Sequence, residues 1–256
     1  MRRMHLGLGS ALCFVGSGVA PLVVHAQDAA PTNLVVERLR QGRPAMGTFT
    51  RTAGLDLDFA VIDEQYGTFD IDGVREAVVA LRAGDGAPVI TPIVRIPLAV
   101  RDAPQAVVRQ LLDAGVSGVM FPDIETKAQA MAAVSSMRVA QEAGADVWPL
   151  DPAGTLVAML QIETLAGIEH LDEILDVPGI GVIFLGPTDL ATSAGEDGPN
   201  APRVDALVQE VLEVCLARNI PCGYPIVAPT RADAERETAR RLGEGFKVLA
   251  VMTTAR

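Results

Sequence analysis

Two carboxylates stand out by their placement. Glu163 ends the stretch Gln161-Ile162-Glu163, and Asp189 ends Gly186-Pro187-Thr188-Asp189; each stretch follows a short apolar run. If those runs are neighbouring strands, both side chains stand at equivalent strand ends. Separated carboxylates converging on an oxygen-rich pocket suit a hard divalent cation such as Mg²⁺ or Mn²⁺, with positions left for water and a chelating substrate. The alternative role is capping, because each carboxylate also precedes a helical stretch. Gly186-Pro187-Thr188 presents backbone amides to an anion at a helix start. Pro187 has no N–H, so the donors are Thr188 and Asp189; without a ligand the segment is a plain turn. Arg95 closes another apolar run and either forks onto a substrate carboxylate or forms a structural ion pair. Asp63-Glu64-Gln65-Tyr66, Asp123 and Tyr224 are the remaining polar residues at run ends.

The same inventory argues against other chemistries. The lysines are Lys127 and Lys247 alone, neither at the end of a strand where a Schiff base would form. Beyond the first 26 residues the one histidine is His170, within the helical stretch GIEHLDEIL, so a Ser-His-Asp hydrolase lacks its base. No GxGxxG follows the first strand, and no GxxxxGK[ST] occurs.

Eight apolar runs must position these residues: 45–50, 58–63, 88–96, 117–121, 156–162, 180–185, 221–227 and 246–252. Most are continuous rather than alternating, as in parallel strands covered on both faces. Helical periodicity separates them: a stretch capped by Asp70 that stops near Gly84, then 104–114, 164–175, 203–218 and 230–243. Alternating β and α elements predict a (β/α)8 barrel, with a doubly wound sheet as the alternative. The first outer helix is expected to be reduced, since few residues separate the first two strands. The last helix is expected to be missing. Both gaps leave apolar barrel surface for a partner subunit, so a homo-oligomer is expected.

The chain has 256 residues, 21 basic and 32 acidic, for a net charge of -11. This charge argues against nucleic acid, which needs a basic face, and against anionic membranes as partners. Residues 1–26 combine Arg2-Arg3, an apolar stretch and Val24-His25-Ala26, which reads as a signal peptide cleaved after Ala26. An exported, periplasmic protein is therefore expected, either Sec- or twin-arginine-directed, with no membrane attachment after cleavage. Residues 27–43 form a lead and a short helix, and 44–256 the barrel. Cys215 and Cys222 would remain, expected as buried small hydrophobes.

At these residues the sequence resembles the HpcH/HpaI aldolase family, also called citrate lyase β-like. The matching stretches include LVERLRQGRPAMGTF-like 34–49, DFAVIDEQYGTFD, PIVRIP, LLDAGVSGVMFPDIET and LQIETLAGIEHLDEILDVPGIGVIFLGPTDLA. The resemblance implies a (β/α)8 lyase that makes and breaks carbon–carbon bonds of short 2-oxo acid aldols through a pyruvate-type enolate, with an aldehyde as second substrate. It implies that Glu163 and Asp189 hold the metal, which holds the 2-oxo acid as a Lewis acid. Gln161 would assist beside the substrate, Arg95 would stabilise the enolate oxygen, and the Gly186-Pro187-Thr188 turn would bind the carboxylate through the amides around Thr188 and Asp189. Where the family carries Asp-x-Glu-His, this chain keeps Asp63 but has no histidine. An ungapped match places Gln65 and Tyr66 at Glu and His; a one-residue slip places Glu64 and Gln65 there. Proton transfer would then fall to Glu64, Tyr66 or water at the metal. A barrel that binds a metal or oxo-acid without turnover is the alternative function, and a decarboxylase or acyl-CoA lyase a third.

Overall fold

A computed structural model describes residues 33–52, 57–81, 90–138 and 146–254. The expected signal peptide and the start of the run 88–96 lie outside the described residues. The strands are β1 (Ala45–Phe49), β2 (Phe59–Asp63), β3 (Thr91–Arg95), β4 (Gly118–Phe121), β5 (Val147–Trp148), β6 (Leu156–Ile162), β7 (Val182–Leu185), β8 (Cys222–Ala228) and β9 (Val248–Thr253). The helices are α1 (Leu34–Arg40), α2 (Ile71–Ala80), α3 (Gln105–Asp113), α4 (Lys127–Arg138), α5 (Leu165–Glu169), α6 (Leu171–Leu175), α7 (Pro187–Ala194), α8 (Pro202–Ala217) and α9 (Arg231–Glu244). The strands run in the order β4-β3-β2-β1-β9-β8-β7-β6, and a β4–β6 pairing closes the ring. Every pairing is parallel. This is the expected (β/α)8 barrel. The short β5 was not expected; it pairs only with the first residues of β6 and stands outside the ring.

Strand pleating sorts the side chains. Outward residues such as Ile62, Val94, Phe121, Leu160, Leu185 and Leu249 pack under the helices. The intervening residues Phe59, Val61, Ile93, Met120, Met159 and Phe184 fill the barrel. Large and small residues alternate inside: a Cβ on Gly47 or on Gly223 would stand 2.5 Å from the ring of Phe59 or Phe184. Glycine is needed there for close approach, and the ring takes the volume.

The N-terminal end of the barrel is closed by α1. Its Val35 and Val36 are fully buried among the interior strand residues. Asn33 fixes this plug: its side chain accepts from the Val36 amide at 3.1 Å and donates to the Ser117 and Thr155 carbonyls, each at 2.9 Å. The short helix read from the sequence is therefore part of the barrel core.

Asp70 caps α2 as expected, accepting from Gly73 N–H at 3.0 Å. Residues 50–52 and 57–58, the described part of the β1–β2 connection, contain no helix. The helical run 164–175 is split at His170 into α5 and α6. There His170 Nδ1 lies 3.0 Å from the carbonyl oxygens of Glu125 and Ala166, a packing role. Cys215 and Cys222 are buried, adjacent and not joined in a disulfide. No helix among the described residues is long and apolar enough to cross a membrane.

Candidate active site

The C-terminal ends of the strands open onto a cavity of about 360 Å³. Asp63, Tyr66, Arg95, Gln161, Glu163 and Asp189 line it, together with Gly186, Pro187 and Thr188 from the start of α7. Asp63 and Arg95 are register partners at the ends of β2 and β3. Arg95 donates from Nε to Asp63 Oδ1 at 2.9 Å and from Nη2 to Oδ2 at 2.6 Å. Its guanidinium also lies 5.0 Å from the centre of the Phe49 ring. Burial alone would raise the Asp63 pKa, but the Arg95 bonds and charge, with the Gln65 amide, hold it below its ordinary value. Both candidate roles of Arg95 are thus compatible: the ion pair fixes a cation at the cavity wall.

Glu163 is fully buried. It is free to face inward because Thr164, not Glu163, caps α5, accepting from Gly167 N–H at 3.1 Å. One Glu163 oxygen accepts from the backbone N–H of Asp123 at 2.9 Å, and the other from Gln161 Nε2 at 3.1 Å. Asp123 reaches it from a left-handed conformation (φ 48°), which Asp tolerates better than most residues. The opposite side of the carboxylate rests against Gly186, where a Cβ would collide with it. Burial pushes the Glu163 pKa up to about 8, and the Asp123 and Asp189 charges add to this against the Asp123 amide and Arg95. Asp123 is itself raised, first by burial and then by Asp189 and Glu125, despite Glu163 and Arg101.

The first turn of α7 completes this wall. Gly186 is its N-cap and no side chain caps it, so the Asp189 carboxylate is not spent on the helix end. The first-turn amides of a helix lack intrahelical acceptors. The remaining wall is apolar, with Phe49, Phe184, Pro225, Val227 and Met252.

Among the three residues that follow Asp63, the structure makes a choice. Glu64 is buried, ion-paired with Arg51, and accepts from Asp70 N–H at 2.9 Å. Gln65 is buried outside the cavity lining. Tyr66 is 69% exposed and lines the cavity. Its pKa is raised by burial and by the charges of Asp189, Glu163 and Asp123, against Arg95. Tyr224 turns outward: Arg241 stacks on its ring at 4.0 Å and binds Asp205, Glu237 and Glu244. Lys247 precedes β9, and its carbonyl accepts from Ala45 N–H at the plugged end. Lys127 pairs with Asp176 at 3.8 Å. Asp123 was read as a polar residue at a strand end, but its contact with Glu163 and the apolar wall were not read from the sequence. Strand parity, which puts Phe49, Val227 and Met252 on the inward face, was the available signal for the wall.

Residues 48–253 match the family model HpcH/HpaI aldolase/citrate lyase. The chain is 30% identical over 193 residues to a hydroxypyruvate/pyruvate aldolase of Rhizorhabdus wittichii, covering 67% of this chain and 72% of that protein. It is 32% identical over 203 residues to a 5-keto-4-deoxy-D-glucarate aldolase of Citrobacter koseri, covering 73% and 75%. An HpcH/HpaI aldolase/citrate lyase family protein from Burkholderia cenocepacia has the same fold, with a TM-score of 0.69 at 23% identity over 87% of this chain and 93% of that one. With the barrel and the family match over most of its length, the chain belongs to the HpcH/HpaI aldolase/citrate lyase family.

Proposed function

We propose that the protein is an aldolase that joins a short 2-oxo acid such as pyruvate to an aldehyde, and reverses that reaction, with a divalent cation, Mg²⁺ or Mn²⁺, held by Glu163 and Asp189. The observation that carries this reading is the convergence of Glu163, Asp189, Gln161 and Arg95 on one cavity. Among the described residues no group of three or more His, Cys, Asp or Glu side chains forms a complete metal site. The donors offered are therefore two carboxylates with an amide nearby. They fit a hard cation: Glu163 is buried beside the like charges of Asp123 and Asp189, and Gln161 Oε1 is buried without a partner. When bound, the cation supplies Lewis acidity at the 2-oxo group.

The chain's own groups do the rest. The amides of Thr188 and Asp189 bind the substrate carboxylate. Arg95, held by its two bonds to Asp63, directs N–H donors at the enolate oxygen as charge develops there. Water takes the methyl proton of the 2-oxo acid as the enolate forms; Tyr66, exposed to solvent, gives its phenolic proton to the aldehyde oxygen as the carbon–carbon bond forms and regains one from water, and cleavage reverses these transfers. A barrel that binds the oxo-acid without turnover is the second reading, favoured by the engagement of Glu64 with Arg51. Deuterium exchange into the pyruvate methyl group, followed by NMR with and without Mn²⁺, decides between them. Exchange that needs both the metal and Glu163 supports the aldolase. Metal binding without exchange rejects it.

We also infer that the protein is exported and works as a homo-oligomer. The outer face of β1 and β9 supports assembly, because Met46, Leu57 and Val251 lie there beside a connection with no helix among its described residues.

A further inference from the structure

We infer that the second substrate is an apolar aldehyde, aliphatic or aromatic, and that Phe49, Val227 and Met252 select it; this rests on the aldolase reading above. The inward residues at the cavity level divide by strand. β1, β9 and β8 are consecutive in the ring and contribute Phe49, Met252, Pro225 and Val227. None of these side chains carries a hydrogen-bond donor or an oxygen acceptor. The polar groups come from β2, β3, β6 and the start of α7. Around the ring, β6 lies opposite β1, and β3 opposite β8.

A 2-oxo acid uses its carboxylate and 2-oxo oxygens at the polar wall. Its methyl carbon, where the new bond forms, is the end farthest from those oxygens. The aldehyde therefore extends from that carbon toward the apolar sector. The side chains of Phe49, Pro225, Val227 and Met252 offer a hydroxyl no hydrogen bond in exchange for the water it loses, whereas a methyl or ring buries apolar surface against them. Val227 is 63% exposed at the mouth, where it extends the apolar surface outward. Apolar pockets discriminate against an added hydroxyl only moderately, about 100-fold. The expected preference is therefore about 10- to 100-fold in kcat/KM.

The test uses the full chain with Mn²⁺ and pyruvate. It compares propanal with glycolaldehyde, which replaces a methyl by a hydroxyl, and adds benzaldehyde. Propanal is expected to exceed glycolaldehyde by at least tenfold in kcat/KM. Val227→Asn and Met252→Gln are expected to lower that ratio by about tenfold. The ratio does not depend on the folded fraction, and the exposed Val227 site tolerates substitution. Equal or better use of glycolaldehyde by the unsubstituted protein overturns the inference, as does a ratio unmoved in both variants. If pyruvate still exchanges deuterium in that case, the aldolase reading survives and only the aldehyde class is wrong. Absence of both exchange and turnover removes the two together.

Discussion

The Glu163 carboxyl carries its proton to about pH 8, where an ordinary glutamate loses it near 4.5. Between those values the native state binds the proton and the unfolded chain does not. The unfolding free energy of the metal-free protein therefore falls as pH rises through that window. Glu163→Gln is expected to flatten this dependence and to make the metal-free protein more stable than the parent above pH 8. Denaturant unfolding at pH 5 and pH 8.5 checks it, and an unchanged slope in the variant would refute the assignment. The carboxylates Glu163 and Asp189 were legible in the sequence, because a strand end is recognisable from an apolar run and the residues after it. The choice among Glu64, Gln65 and Tyr66 was not, although parity makes half of it: if Asp63 faces inward, Glu64 faces outward. Asp123 was harder still. It holds Glu163 through a backbone N–H in a left-handed turn, and no residue type announces that geometry.

Among the elements, the eight strands of the ring were readable, down to the four residues of β4 and β7, and β5 was not. LVAMLQI of β6 is buried throughout, and such a run needs covering on both faces. The two residues of β5 are too few to show any period. Leu165, Ile168, Leu171 and Ile174 keep helical spacing through the break at His170, so α5 and α6 read as one helix. The helix α1 was visible as a helix, but its place in the barrel depends on contacts with strands far along the chain. That dependence can be measured. Asn33→Ala removes the α1 cap and the side-chain donor to the Thr155 and Ser117 carbonyls, of which Ser117 keeps the Val157 N–H. It is expected to cost about 2–3 kcal/mol in urea unfolding. A loss under about 0.5 kcal/mol, the scale of a surface substitution, would mean that the plug is not held by its cap.

At the scale of the whole molecule, the expectation of an exported assembly stands on the first 26 residues and on the apolar outer face of β1 and β9. Native mass spectrometry of protein released from the periplasm checks both at once. The subunit mass should begin at Gln27, and the intact ion should be a multiple of it. A full-length subunit, or a single-subunit ion at micromolar concentration, would refute the corresponding half. The alternation along each strand has a consequence of its own. At the level of the cavity, inward and outward residues belong to different neighbourhoods, so the barrel separates there the residues proposed to select a substrate from those that dock the helices. A lineage carrying this chain can exchange Phe49, Val227 or Met252 and acquire a new diet while the helices stay docked. Repacking Ile62, Leu160 or Leu249 would instead alter heat tolerance and leave the menu unchanged. Insertion of a single residue within a strand is the one small event that would exchange the two inheritances.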